Sequence, residues 1–86
     1  MAPSSMAYTY ILKLSSDKYT YYIGSCNDID ERIIRHRQGR VKFTKPFRPV
    51  ELVYLENHDS KSNAIKREKY LKRLKSKKEI ELLIKK

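Results

Sequence analysis

Ala64, Glu68 and Leu71 fall at i, i+4 and i+7 of a stretch with helical composition, so a carboxylate lies in the stripe that should face the body of the molecule. A carboxylate in that position needs a partner. Lys66, Lys69, Lys72 or a core arginine would make Glu68 half of an ion pair. The other reading is a hard-cation ligand, because Mg²⁺ takes few protein carboxylates and keeps waters that substrate phosphates can replace. Arg32 and His36 are four apart in another helical stretch and project side by side. They read as solubilising residues, with His36 near a helix end whose dipole favours its charged form. They also suit phosphodiester chemistry, where a guanidinium holds two phosphate oxygens and an imidazole one turn away moves a proton. Tyr10 and Tyr22 are by composition strand aromatics. Gly24, ending the run Tyr22-Ile23-Gly24, leaves room for another backbone or a ligand, or marks a bulge or a strand exit.

These residues must be positioned by strands, a helix and a loop. Tyr8, Tyr10, Leu12 and Leu14 alternate with Thr9, Ile11 and Lys13. Turn residues Ser15, Ser16 and Asp17 follow, and a second run spans 19–24, which together predict a β-hairpin. An odd loop would set Tyr10 directly across from Tyr22 on one face, and an even loop would oppose Tyr10 to Ile23. Asn27 as N-cap, Asp28, Asp30 and Glu31 in the first turn, Arg35, His36 and Arg37 in the last, and Gly39 as terminator predict a helix over about 28–38. Its apolar stripe is Ile29 and Ile33, with Ile34 at the margin. Residues 40–49 carry two prolines and no clean period, and read as a basic loop with two Phe anchors. A third strand is expected over 50–56. Ser60 or Asp59 caps a helix to about residue 75, and Ser76 with Glu79 opens a last one with Ile80, Leu83 and Ile84 inward.

Eighty-six residues support one core, since a chain this short buries roughly 60–65% of its unfolded surface. Residues 1–7 read as a flexible leader and residues 8–86 as the domain. Twenty Lys+Arg against ten Asp+Glu leave +10, an excess that points to a polyanion, with nucleic acid the first choice. One cysteine, Cys26, allows no internal disulfide, and with only His36 and His58 there is no structural zinc pattern; Cys26 reads as a reduced bystander. No apolar run nears the roughly 20 residues of a membrane span. The expectation is a soluble, cytoplasmic, nucleic-acid-associated protein.

The order Tyr8-Thr9-Tyr10, Tyr22-Ile23-Gly24, Arg32 eight positions after that glycine, His36 four later, and Ala64-Ile65-Lys66-Arg67-Glu68 resembles the GIY-YIG nuclease superfamily. The resemblance covers residues 8 to about 75. It is similar to the short stand-alone branch, which shares the YILKL-type first strand, the E-R-x-x-x-H helix and the F-T-x-x-x-R-P-V-x-L-V-Y stretch that begins here at Phe43. Such a resemblance implies an α/β fold, a three-stranded antiparallel sheet flanked by helices. It implies one Mg²⁺ or Mn²⁺ held by Glu68, and DNA cleavage leaving 5′-phosphate and 3′-hydroxyl ends. Tyr10 would orient or deprotonate the attacking water, Tyr22 and His36 would assist that proton, and Arg32 would neutralise the phosphate. A phenol works as a base near neutrality only if cations lower its pKa, a task left to Arg32 and the metal. Tyr8 and Thr9 stand where the family name has Gly and Ile, Ser25 where repair relatives often carry Lys, and His36 where they carry Tyr. The Asn that some relatives have near the metal is missing from the final segment.

Arg40, Lys42, Lys45 and Arg48 interleave with Phe43 and Phe47, so the cations can follow a phosphate backbone. Both rings are expected to turn inward, because small domains rarely spare aromatics. Lys66 and Lys69 join a segment from residue 60 onward with eleven Lys+Arg against three Glu, again a polyanion surface. Helix-turn-helix and zinc-finger patterns are missing, so little base-specific readout is expected. Three functions compete: a metal-dependent nuclease acting on DNA more readily than RNA, a non-catalytic nucleic-acid-binding module on the same fold, and a peripheral membrane protein. The last has little support because the final helix has few bulky apolar residues.

Overall fold

Residues 15–19 form the loop that decides how the first two strands meet. Ser16 Oγ accepts from the backbone N–H of Lys18 and Tyr19 at 3.0 and 3.1 Å, and Leu14 N donates to Thr20 O at 2.8 Å, which closes an odd-numbered turn. In the computed structural model, which describes residues 6–74 and 76–85, the turn joins β1 (Ala7–Lys13) to β2 (Tyr21–Cys26) as antiparallel neighbours. Tyr10 lies across from Gly24 and Leu12 across from Tyr22. The expected direct opposition of Tyr10 and Tyr22 is therefore off by two residues. Parity is unchanged by such a shift, so both phenols still share a face.

A third strand, β3 (Glu51–His58), pairs antiparallel with the other side of β1, so the sheet order is β2-β1-β3 and the first strand is the central one. Centrality explains its apolar density: Tyr10, Ile11 and Leu12 are fully buried. Ala7 is also buried and pairs with His58, so the sheet begins one residue earlier than expected. The rest of the proposed leader, residues 1–5, lies outside the described residues, as does Lys75 at the expected end of the penultimate helix.

Helix α1 (Ile29–Arg37) starts from Asp28, whose carboxylate accepts from Glu31 N at 3.1 Å. Asn27, the expected cap, instead donates its side-chain amide to Met6 O at 3.3 Å. Gly39 ends the helix at φ +75°, where a Cβ would also stand 2.8 Å from the Arg48 guanidinium carbon. A single 3₁₀ turn, Lys45–Phe47, interrupts the following loop. Helix α2 (Lys61–Leu74) is capped by Ser60, and α3 (Lys77–Ile84) by Ser76.

The two faces of the sheet bury different clusters. Tyr10, Leu12, Leu14 and Cys26 pack under Ile29 and Ile33 of α1 with Phe47 and Val50 of the loop. Ile11 and Ile23 pack against Leu71 of α2 and Ile80 of α3. Helices therefore cover both faces of a three-stranded antiparallel sheet, the α/β arrangement expected, while Ile34 stays half-exposed.

Candidate active site

Gly24 is the hinge of the site. A Cβ there would stand 2.6 Å from Tyr10 Oη and 2.7 Å from Cζ, so the phenol of the central strand lies directly over the glycine of its neighbour. Tyr10 Oη meets His36 Nε2 at 2.9 Å, and His36 Nδ1 meets Thr44 Oγ1 at 2.7 Å. Thr44 Oγ1 also reaches Val41 O at 3.4 Å, and a carbonyl can only accept. The threonine therefore donates to Val41 and accepts from His36 Nδ1–H, which leaves Nε2 to accept from the phenol. A directed chain results, Tyr10 to His36 to Thr44 to Val41. All three side chains are fully buried. His36 is thus no solubilising residue, since α1 turns it into the core beneath the 40–49 loop.

Burial dictates the charge states along this chain. It pushes the His36 imidazole down to about 4, with Arg32 adding to the effect, so the ring is neutral and an acceptor at pH 7. It pushes the Tyr10 phenol well above its ordinary range, with Tyr22 adding and Arg32 only partly opposing. Arg32 alone does not lower the Tyr10 phenol, because desolvation outweighs the neighbouring guanidinium. Tyr22 completes the cluster, its ring centroid 6.3 Å from that of Tyr10 and 5.3 Å from that of His36.

Arg32 leaves α1 toward the end of β2, where Nη1 donates to Ser25 O at 3.4 Å and the buried Nε finds no partner among the described residues. Ser25 pairs with Thr9, one step out of phase with Tyr10 and Gly24, so its hydroxyl projects from the opposite face. There it donates to Glu68 Oε1 at 2.6 Å. The other oxygen, Oε2, accepts from Lys72 Nζ at 2.7 Å, so the ion-pair alternative for Glu68 is realised with Lys72. The site therefore straddles the free edge of β2: phenols, imidazole and guanidinium lie on one side, the carboxylate on the other, and Ser25 joins them. Tyr10, Tyr22, Arg32 and His36 converge. Among the described residues Glu68 hydrogen-bonds none of them and is linked to Arg32 through Ser25.

The expected nucleic-acid contacts divide. Arg40, Lys42, Lys45, Lys66 and Lys69 are exposed. Arg48 is partly spent, its Nε and Nη1 donating to Lys45 O at 3.0 Å and Arg37 O at 3.2 Å. Phe43 overturns the inward expectation: it is 46% exposed, because Thr44 rather than Phe43 takes the inward position beside His36. Cys26 is buried, and burial raises its thiol pKa, in keeping with an inert thiol. Sequence reasoning missed Thr44 and the linking role of Ser25, whereas Lys72 stood among the expected ion-pair partners of Glu68. The only available signals were the threonine inside the Phe43–Thr44 stretch and the serine directly after Gly24.

No group of three or more His, Cys, Asp or Glu side chains converges among the described residues. A single half-buried carboxylate fits the way Mg²⁺ is held through one or two carboxylates with water and phosphate completing the shell, and does not fit an all-protein cage. Glu68 would hold such an ion in place of Lys72.

A sequence model of the GIY-YIG catalytic domain matches residues 6–81. The chain belongs to the GIY-YIG family. Within it, a UPF0213 protein of Staphylococcus saprophyticus is 43% identical over 77 residues, 88% of this chain and 92% of that protein. A UPF0213 protein of Staphylococcus epidermidis is 42% identical over 66 residues, 76% of this chain and 78% of that protein. The solution NMR structure of the UPF0213 protein BH0048 from Bacillus halodurans is 32% identical, covers 93% of this chain and 83% of its own, and superposes with a TM-score of 0.55. The fold is therefore that of the stand-alone GIY-YIG proteins, in a family of nucleases. No described helix is long and apolar enough to cross a membrane.

Proposed function

We propose that this GIY-YIG chain is a divalent-metal-dependent endonuclease that hydrolyses phosphodiester bonds in DNA, in the cytoplasm. The observation that carries the reading is the meeting at Ser25, where a guanidinium reaches the backbone carbonyl and a carboxylate takes the hydroxyl. Hydrolysis needs a fixed cation and a metal-binding anion on two sides of one phosphate, and here they are one residue apart.

Water attacks phosphorus and the bond to the 3′ oxygen breaks, leaving 5′-phosphate and 3′-hydroxyl ends. Tyr10 takes the proton of the water as its own passes to His36 Nε2, along the bond already present. Thr44 holds the ring in the tautomer that can receive it. His36 resists that proton first because it is buried and second because Arg32 stands beside it, and a bound phosphate would offset the second of these. Arg32 neutralises the charge growing on the phosphate, and Tyr22 borders the same space. Mg²⁺ or Mn²⁺ held by Glu68 would supply Lewis-acid stabilisation of the leaving oxygen. Arg40, Lys42, Lys45, Arg48, Lys66 and Lys69 hold the backbone outside the site.

A second reading, a binding module with no turnover, is favoured by the Lys72 ion pair that already occupies Glu68. Incubation with nicked, branched and duplex DNA in Mg²⁺ or Mn²⁺ separates the two. The nuclease reading predicts cleavage of at least one substrate, abolished by chelation and by Glu68→Ala. Salt-dependent binding with no cleavage, or equal cleavage by Glu68→Ala, selects the binding module.

A further inference from the structure

Tyr10 and Tyr22 are the inner end of a longer aromatic row. Tyr22 lies 5.7 Å from Phe43 at an interplanar angle of 30°, and Phe43 lies 5.3 Å from Tyr19 at 62°. The row runs from a fully buried phenol outward to rings that are 46% and 37% exposed at Phe43 and Tyr19. A small domain that leaves two neighbouring rings in water forgoes stabilisation at each. Tyr19, Tyr22 and Phe43 line a cleft of about 560 Å³ along the free edge of β2, and Lys18, Lys72 and Lys77 line it too. This set of cations differs from the one in the 40–49 loop.

We propose that this cleft holds an unpaired stretch of the substrate strand, with bases stacked on Phe43 and Tyr19 and phosphates on Lys18, Lys72 and Lys77. The inference rests on the nuclease reading for the word substrate, and on the cleft alone for the binding. The rings decide for an unpaired strand. In a duplex both faces of each base are covered by its neighbours, whereas a splayed base offers a π-face to any exposed ring. Stacking is tolerant of sequence, which agrees with the lack of a base-reading motif. Lys72 couples the cleft to the site, since its ammonium lies 2.7 Å from Glu68 Oε2 and also lines the cleft. A phosphate there competes with Glu68 for that lysine.

Binding is measured in chelator, without turnover, by fluorescence anisotropy on labelled oligo-dT, oligo-U and a blunt duplex of equal length. The unpaired strands bind at least about tenfold more tightly than the duplex, and Phe43→Ala or Tyr19→Ala weakens them about tenfold while changing duplex binding less than about twofold. Phe43→Leu, which keeps apolar volume against Tyr22, loses as much as Phe43→Ala, and Phe43→Trp retains the affinity. Preference for either oligo-dT or oligo-U over the duplex supports the cleft and names its sugar. Equal affinity for strand and duplex, or strand affinity unchanged by both Phe43→Ala and Phe43→Leu, overturns it. A catalytically silent protein still passes this test, and an active nuclease indifferent to unpaired strands fails it, so the two readings fall separately.

Discussion

Glu56 on the edge strand β3 and Glu68 of α2 beside the edge strand β2 are equally covered: 19% of the Glu56 side chain is exposed and 20% of Glu68. Their partners differ. Glu56 accepts from Arg67 Nε and Nη2 at 3.0 Å, from the Tyr54 hydroxyl, and pairs with His58 at 3.3 Å. Thr9 donates to Ala64 O, so it accepts from His58 Nε2–H and fixes that ring as well. Burial alone would raise the Glu56 carboxyl, but the hydrogen bonds of Arg67 and Tyr54 outweigh it and hold the group below its usual range. Glu68 has one hydroxyl and one half-exposed lysine. Equal burial therefore does not mean equal use. One carboxylate is held by the side chains of Arg67, Tyr54 and His58, and the other by a hydroxyl and a half-exposed lysine that a cation would have to replace on the proposed reading.

The sharpest way to break this contrast is to remove each acid. Glu68→Ala is expected to lower nuclease activity by about a hundredfold or more with an unchanged melting profile. Activity within severalfold of the parent would end the distinction.

Next in size is a pH effect from the buried chain beside the β2 edge. The unfolded imidazole protonates near 6.5 and folded His36 only near 4, so the unfolded state binds more protons between these values. The His36 contribution is complete above pH 6.5, falls as pH drops through the window, and is constant below it, for a total of about 3 kcal/mol at most. Urea midpoints for the parent and His36→Gln, which keeps an acceptor for Tyr10 and a donor for Thr44, should converge as pH falls from 7 to 4. Parallel curves would contradict the burial of a neutral ring. Glu56, being depressed, adds a loss as pH falls from the ordinary carboxylate range through its lower folded value.

Glu56→Ala should cost about 1–3 kcal/mol of stability, by leaving Arg67 without its acceptor, while sparing cleavage. Gly24→Ala should cost a similar 1–3 kcal/mol and also impair cleavage, because Tyr10 must move from the space the new methyl takes. Chemical denaturation beside a cleavage assay separates these two patterns. The smallest effect is expected at Lys42→Ala, which should weaken DNA binding uniformly across sequences and reduce the salt slope by about one.

What could be read before folding was whatever local chemistry decides. Ser60 and Ser76 cap their helices because a hydroxyl beside free amides needs no tertiary context. Gly24 is legible as a glycine in an aromatic strand run, but the strand continues past it to Cys26, and the space it leaves holds the Tyr10 ring. The choice of Asp28 over Asn27 as cap turned on where Met6 O lies, which is a contact between distant segments. Hairpin parity was legible but the pairing was not, since Ser16 organises the turn through bonds invisible to a hydrophobic pattern. Thr44 and Phe43 are adjacent in a loop with no period, and only the packed position of His36 decides which of them goes inside. Ser25 linked Arg32 to Glu68 because strand alternation sends its hydroxyl through to the other face. Of these four, only the strand alternation at Ser25 is a property of spacing.

On the nuclease reading Glu68, and not Glu56, is the carboxylate that takes a divalent cation. Mn²⁺ titration followed by electron paramagnetic resonance, on the parent, Glu56→Ala and Glu68→Ala with a short DNA strand present, tests it most directly. One bound ion is expected in the parent and in Glu56→Ala, and none in Glu68→Ala. An ion retained by Glu68→Ala would contradict it.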